Sequence, residues 1–259
     1  MSVHFFAFFR ENGPFPANHL CLGRFNVIII KYKYPFVKGA FVVHYLQNLY
    51  NQLNFTSIGA ALLRVAAVFL CLTVHETCHG LAAYALGDPT AKQMHRLSLN
   101  PLRHIDWFGL LLMFAFGFGW AKPVPVDMRY FKKPKQGMAI TALAGPISNF
   151  LLALLLLLCS KLIYLYAAYS TASKVIYQFL ITTSMLSVGL GLFNLIPIPP
   201  LDGSKVLAVV LPDKAYYQLM RWERYGMILL LVLSFANVGG NFISAAISVV
   251  WKALYSIVY

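Results

Sequence analysis

The sequence predicts an all-α polytopic membrane protein, and its composition is the first reason. Of the 259 residues, 59% are hydrophobic and only 11% are charged, whereas soluble domains average roughly 45–50% apolar and about 25% charged residues. The mean hydropathy is +0.68. The formal net charge of +13 fits basic loops that face anionic lipid headgroups. No nucleic-acid-binding motif accompanies that charge, so a nucleic acid partner is not expected.

Long apolar segments are the second reason. Three of them lie at about 56–86, 138–168 and 175–196, and each reaches the roughly 20 residues that a helix needs to cross a bilayer. The third must end at the prolines within residues 197–200, because proline lacks an N–H group and its ring clashes with the preceding turn. These segments predict a core of three transmembrane helices.

The remainder of the chain divides around that core. Residues 1–46 form an N-terminal segment whose structure the sequence does not predict, and residues 47–212 form the membrane-embedded core. Residues 213–259 are expected to hold C-terminal transmembrane helices, with a polar stretch to about residue 223 and then helices near 225–236 and 242–258. The four cysteines form no CxxC pair and are expected to be small buried residues.

A short apolar stretch interrupts the loop after the first span. Residues 107–120 are rich in glycine and phenylalanine but too short to cross a bilayer. Irregular backbone at membrane depth must be covered by protein or line a cavity. The stretch therefore predicts a short re-entrant or β-hairpin element after the first core helix, which could offer a strand edge to an extended peptide.

The distribution of basic residues predicts the orientation. Loop 87–136 carries eight lysines and arginines and loop 197–224 carries four, whereas only two lie near the linker between the second and third spans. Loops rich in basic residues remain in the cytoplasm. Both loops are therefore expected to be cytoplasmic, which places the end of the first span and the start of residues 197–224 at one depth.

Inside the first span, the sequence HETCH at residues 75–79 carries the chemistry. Positions i and i+4 of a helix share one face, so His75 and His79 can bind the same metal ion. Glu76 then projects beside the ion, where it can take a proton from a water molecule. HExxH on a helix is a zinc metalloprotease signature, and ionisable groups within a membrane span are costly and usually functional.

A zinc ion (Zn2+) in a hydrolase needs a third protein ligand. The sequence offers seven candidates: Asp88, His95, His104, Asp106, Asp127, Asp202 and Asp213. His95 and His104 are expected to bond within the loop or face solvent. Asp202 follows a proline-rich stretch whose non-helical backbone can turn a side chain inward. Its alternative role is that of an N-cap for the apolar segment 204–211, so the residues alone leave the third ligand open.

Three separated motifs resemble the site-2 protease family of intramembrane zinc metalloproteases. They are HETCH at 75–79, AGPISN at 144–149 and NLIPIPPLDG at 194–203. Three further stretches resemble its compact bacterial branch, which lacks PDZ and CBS domains: GDPTAK at 87–92, LSLNP at 97–101 and GWAKPVPV at 119–126. His95 stands where this branch leads us to expect glycine.

The resemblance implies a metalloprotease core within residues 47–212, with His75, His79 and Asp202 as zinc ligands and Glu76 as the catalytic base. It implies transmembrane proteins as substrates and a multi-pass location in a bacterial plasma membrane. The basic loops place the active site toward the cytoplasm. Asn194 and Asn149 are the candidate substrate-binding residues, since an unwound substrate helix needs partners for its freed backbone groups. The alternative for Asn194 is a plain cap at the helix end, and the alternative for Asn149 is a bond between helices. Two alternatives are a membrane transporter of metal ions or protons and a catalytically silent scaffold.

Overall fold

Long helices dominate the structure, a computed structural model that describes residues 3–4, 55–109, 119–168, 170–207, 209–235 and 240–259. The helices in these ranges are, in chain order, α1 (Phe55–Ala85), α2 (Thr90–Gln93), α3 (Pro134–Tyr166), α4 (Thr171–Asn194), α5 (Asp202–Leu207), α6 (Asp213–Phe235) and α7 (Gly240–Val258). Short 3₁₀ turns cover Pro101–Arg103 and Met128–Tyr130. Two-residue strands β1 (Val3–His4) and β2 (Gly119–Trp120) pair antiparallel, with Val3 opposite Trp120.

Three of the helices are long and apolar enough to cross a membrane. The qualifying segments are Leu62–Ala85 in α1, Pro134–Tyr166 and Thr171–Asn194. They coincide with the three predicted spans, so the prediction of an all-α membrane protein is confirmed. The apolar part of α7, Phe242–Val258, is shorter, and the transmembrane placement of the C-terminal helices stays a prediction.

The chain forms two compact units, Met1–Gly13 together with Ala66–Tyr259, and Pro14–Val65. Within the second unit the structure describes the N-terminal turns of α1, from Phe55 onward. Every residue of the candidate site lies in the first unit.

Helix α6 begins earlier than predicted. The sequence predicted a polar stretch up to about residue 223, but the helix already begins at Asp213. Lysine, glutamine, arginine and glutamate are good helix formers, so these polar first turns are helical. A polar stretch here therefore indicates an exposed helix and not a loop.

Small polar residues hold α3 and α4 together. Ser187 donates a hydrogen bond to the backbone carbonyl of Asn149 (2.7 Å), and both side chains are fully buried. Small residues let two helix backbones approach closely, and a hydroxyl across the contact adds a hydrogen bond where water is scarce. The buried hydrogen bond therefore holds α3 and α4 together in the core.

Helix α7 packs across this pair. Ile247 packs with Ala153 and Val188 in one buried cluster, and the indole N–H of Trp251 donates to the hydroxyl of Ser184 (2.9 Å). On α1, Cys71 packs with Leu190 of α4. Cys71, Cys78 and Cys159 are free, but only Cys71 is buried, as expected for all of them; Cys78 and Cys159 are partly exposed. Cys21 lies outside the described residues.

The predicted re-entrant or β-hairpin element lies largely outside the described residues, which omit 110–118. At its base, Ile105 and Ala121 form an antiparallel bridge, and the Lys122 N–H donates to the His104 carbonyl (2.9 Å). The segments before and after residues 110–118 therefore run side by side at residues 104–105 and 121–122. The form of the intervening residues stays a prediction.

The loop after α1 contains a residue in a strained conformation. His95 is exposed and has φ = 53°, in the left-handed region that favours glycine. This is the position at which the resemblance to the compact branch led us to expect glycine. The backbone is held there because the His95 carbonyl accepts a hydrogen bond from Arg103 (2.6 Å).

Replacing His95 with glycine should therefore stabilise the protein. A left-handed conformation costs a residue with a Cβ atom about 1–2 kcal/mol, and the greater freedom of glycine in the unfolded chain cancels part of the gain. We expect the free energy of unfolding in mixed micelles to rise by about 0.5–1 kcal/mol for His95→Gly. His95→Val should lower it, and equal values for the two variants would contradict the strain.

Candidate metal centre

Three donor atoms from distant parts of the chain converge at one buried point. His75 Nε2 lies 3.0 Å from His79 Nε2 and 3.1 Å from Asp202 Oδ2. The remaining edge, from His79 Nε2 to Asp202 Oδ2, is also 3.1 Å. All three residues are buried, and within the described ranges they form a group of side chains that could hold a metal ion.

The two histidines reach this point because α1 places them on one face. Their rings pack edge to face, with centroids 4.5 Å apart, as expected for positions i and i+4. His75 is fully buried, and His79 exposes only 8% of its surface. Burying two imidazoles without partners would be costly, so their convergence indicates a site.

The carboxylate comes from the first residue of α5, just after the prolines that end α4. The turn is tight: a Cβ atom on Gly203 would overlap the backbone carbonyls of Leu195 and Ile196. Its Oδ2 atom lies 3.1 Å from the Nε2 atoms of both rings. Asp202 is therefore a carboxylate directed at the two rings.

The other six candidate ligands have different partners. Asp88 is fully buried and accepts hydrogen bonds from the backbone of Thr90 (2.9 Å) and of Asp127 (2.7 Å). The rest bond within loops, pair with a cation or face solvent: Asp106 accepts from Gly109, Asp127 pairs with Arg129, Asp213 pairs with Lys135, His104 bonds the carbonyl of Ser98, and His95 is exposed. The structure thus brings Asp202 to the histidines and leaves these six elsewhere.

Second partners orient the rings. His79 Nδ1 lies 2.7 Å from the carbonyl oxygen of Thr141; since that oxygen can only accept, Nδ1 carries a proton and Nε2 presents its lone pair. The Asn149 amide lies 3.0 Å from His75 Nδ1. Its oxygen is buried with no partner among the described residues. Because the two ends of an amide group have nearly the same size and shape, turning it over lets that oxygen accept from Nδ1–H.

This donor set fits a zinc ion. Two imidazole lone pairs and one carboxylate oxygen meet at a single buried point, which only a cation can satisfy. Zinc bonds of about 2.0–2.2 Å at tetrahedral angles place ligand atoms about 3.3–3.6 Å apart, slightly more than the 3.0–3.1 Å edges of this triangle. The outer nitrogens are held by a backbone carbonyl and an amide, the arrangement that metal-bound histidines adopt.

Gly145 of α3 makes direct contact with the metal-facing side of both rings. A Cβ atom at this position would lie 2.5 Å from His79 Nε2 and 2.6 Å from His75 Cε1. Gly145 lies within the motif AGPISN, and nothing in the sequence predicts its place beside the two histidines. Its contact with both rings is evident only in the fold.

Gly145→Ala should therefore weaken metal binding. The added methyl group forces both rings away from their partners, and disturbing such an orienting contact typically costs about 10–100-fold in metal affinity. Competition with a chromophoric chelator measures the affinity. Ile147→Ala, on the half-exposed side of the same helix, is the control and should bind metal as the unaltered chain does. Equal affinities in all three proteins would contradict the contact.

Glu76 lies beside the triangle and is buried, with 1% of its surface exposed. Its Oε2 accepts a hydrogen bond from the backbone N–H of Val124 (3.1 Å). The carboxylate is thus held by the segment that follows the undescribed residues 110–118. Nothing in the sequence predicts the Val124 N–H as a partner of Glu76.

Asn194 occupies the end of α4 and is fully buried. Its amide nitrogen donates to the Leu190 carbonyl (2.9 Å), which is an ordinary bond at a helix end. Its amide oxygen is buried with no partner among the described residues. The amide nitrogen of Asn194 thus bonds the end of the helix, and its amide oxygen is left as a hydrogen-bond acceptor.

Comparison with known proteins is consistent with this geometry. The model of peptidase family M50 matches residues 159–234. "Putative zinc metalloprotease YwhC" of Bacillus subtilis is 40% identical over 180 residues, which cover 68% of this chain and 81% of that protein. "Putative zinc metalloprotease Rip2" of Mycolicibacterium smegmatis is 27% identical over 181 residues, 68% of each. "Zinc metalloprotease MJ0392" of Methanocaldococcus jannaschii is 35% identical over 86 residues, 33% of this chain and 23% of that protein. No solved structure matches.

Proposed function

Because the chain belongs to peptidase family M50, the site-2 protease family of zinc metalloproteases, we propose that it is an intramembrane endopeptidase. It hydrolyses peptide bonds in or near the transmembrane segments of other membrane proteins, in regulated intramembrane proteolysis or in the clearance of signal-peptide remnants. One observation carries this proposal: the convergence of His75, His79 and Asp202 beside Glu76.

Each residue has a distinct role in the proposed reaction. His75, His79 and Asp202 hold the zinc ion, which when bound polarises the scissile carbonyl and acidifies water. Glu76 takes the proton of the attacking water and later delivers it to the leaving amine. Its burial and its bond to the Val124 N–H hold the carboxylate in place for this role.

The substrate must present an unwound segment, since the carbonyls of an intact helix are hydrogen bonded. Asn194 and Asn149 are the proposed partners of the freed backbone. The unpartnered amide oxygen of Asn194 supports this role by offering an acceptor for a substrate N–H. The contact between Asn149 and His75 favours ring positioning for Asn149, and its substrate-binding role rests on the same amide turning toward the substrate.

The proposed location is the plasma membrane of a bacterium, with the site toward the cytoplasm. Loops 87–136 and 197–224 hold most of the basic residues outside the N-terminal segment, and such loops remain on the cytoplasmic side. Trypsin cleavage of inverted and right-side-out vesicles tests this. Protection of both loops in inverted vesicles would contradict the orientation.

The function itself is tested by co-expression with single-span candidate substrates. We expect shortened products from the wild-type chain only, and their loss when a zinc chelator is present. Liposomes that contain the purified protein provide the second arm. Metal or proton flux without cleavage would identify a transporter, and neither flux nor cleavage in the metal-loaded protein would identify a silent scaffold.

A further inference from the structure

Arg96 is a buried arginine in the loop that follows α1. It exposes only 8% of its surface, although arginine is almost never fully buried without partners. Its guanidinium donates to three backbone carbonyls: NH2 to Lys122 (2.6 Å) and Pro123 (3.1 Å), and NH1 to Arg103. The planar fork of arginine suits such a set of acceptors, and lysine does not reproduce it.

The carbonyls of residues 122 and 123, which Arg96 binds, come directly before the backbone N–H of Val124, which contacts Glu76. Residues 123–125 read Pro-Val-Pro, and proline has no N–H group. Val124 therefore carries the one backbone donor of this tripeptide, and that donor lies 3.1 Å from Glu76 Oε2. Both prolines also fix φ and keep the segment extended, so the direction of this N–H depends on how the segment is anchored.

Two further contacts hold the segment, one to the loop at His104 and one to α1 at Gly80. The Lys122 N–H donates to the His104 carbonyl (2.9 Å). A Cβ atom on Gly80, one turn beyond Glu76, would lie 3.2 Å from Val124 Cγ1. The charges of Arg96 and Glu76 also attract each other. Burial lowers the pKa of Arg96, and the negative charge of Glu76 opposes that shift.

We propose that Arg96 is a positioning residue for Glu76, acting through the backbone of residues 122–124. Its guanidinium binds the two carbonyls before Val124, and this aims the Val124 N–H at the glutamate. The inference rests on the proposed function, in which Glu76 is the base. It assigns to an arginine of the loop control over the orientation of the catalytic carboxylate.

The test is Arg96→Ala in the purified full-length protein. Misplacing a catalytic group by about 1 Å costs about 100-fold in rate, so we expect kcat to fall about that far while KM and bound zinc remain at wild-type values. Guanidinium chloride at millimolar concentration should fill the vacated space and restore at least about tenfold of the loss, whereas methylammonium, which lacks the planar fork, should not. Arg129→Ala removes an exposed arginine that pairs with Asp127 and should leave kcat unchanged.

Hydrogen exchange gives a measurement that does not depend on activity. Because residues 123 and 125 have no amide proton, overlapping fragments isolate the exchange of Val124. We expect this amide to exchange at least about tenfold faster in Arg96→Ala than in the wild type, because local opening frees it from Glu76. If the proposed function were wrong, no variant would cleave substrate, yet this acceleration would remain.

Three results would overturn the proposal. One is wild-type kcat in Arg96→Ala. Another is unchanged exchange at Val124. The third is a loss of bound zinc in parallel with activity, since Arg96 would then maintain the fold of the whole site and not the orientation of Glu76.

Discussion

Glu76→Gln is expected to lose about three orders of magnitude in kcat while it still binds one zinc ion per chain. Removing a general base typically costs 10²–10⁴-fold, and glutamine matches glutamate in size but cannot accept a proton at neutral pH. Glu76 is not among the three converging donors, so metal affinity should be preserved. Cleavage of a purified single-span substrate in detergent, with zinc measured by mass spectrometry, provides both values.

Cys78→Ala is the matched control, because Cys78 lies between Glu76 and His79 on the same helix and is free. Its kcat should remain at the wild-type value. Cleavage by Glu76→Gln at more than about a tenth of the wild-type rate would exclude general-base catalysis by this residue. Zinc loss in Glu76→Gln would instead show that the glutamate supports the metal site.

Asp202→Ala should lose both metal and activity. It removes one of three ligands and leaves two imidazole lone pairs 3.0 Å apart. Removing a partner that merely orients a ligand costs 10–100-fold in metal affinity, so losing the ligand itself should cost at least about 100-fold. Zinc content after dialysis against a weak chelator is the measurement, and we expect substoichiometric metal in this variant.

Asp213→Ala provides the comparison for that experiment. Asp213 begins α6, and 81% of its side chain is exposed where it pairs with Lys135. Exposed ion pairs of this kind contribute little to stability, so the variant should retain its metal. Stoichiometric zinc in Asp202→Ala would rule out the third-ligand assignment, and equal loss in both variants would point to general unfolding.

The three long helices could be predicted because membrane crossing depends on a one-dimensional property. A continuous apolar stretch of sufficient length must be helical in lipid, whatever packs beside it. The start of α6 could not be predicted in the same way. Its polar first turns lack an apolar pattern, and only the continuation of the helix through Arg221 and Glu223 shows that they are helical.

The pairing of His75 with His79 also followed from the sequence alone, because a four-residue spacing on one helix is local geometry. The resemblance to a family motif predicts glycine at position 95, and His95 has a positive φ there. The roles of Gly145 and Val124 were not anticipated. A missing Cβ atom and a backbone N–H carry no side-chain signature by which sequence reasoning could find them.

By itself, then, the sequence determined which helices cross the membrane and which two histidines and glutamate share a helix, since each depends on spacing within one continuous segment. Only the tertiary structure decided that Asp202, 127 positions after His75, joins them while six other candidates do not. It also decided that the backbone amide of Val124, between two prolines, donates to Glu76 and that Arg96 binds the two carbonyls before it. These contacts depend on how α1, α3, α5 and the intervening loop pack, and packing between distant segments follows from the shape of the whole core.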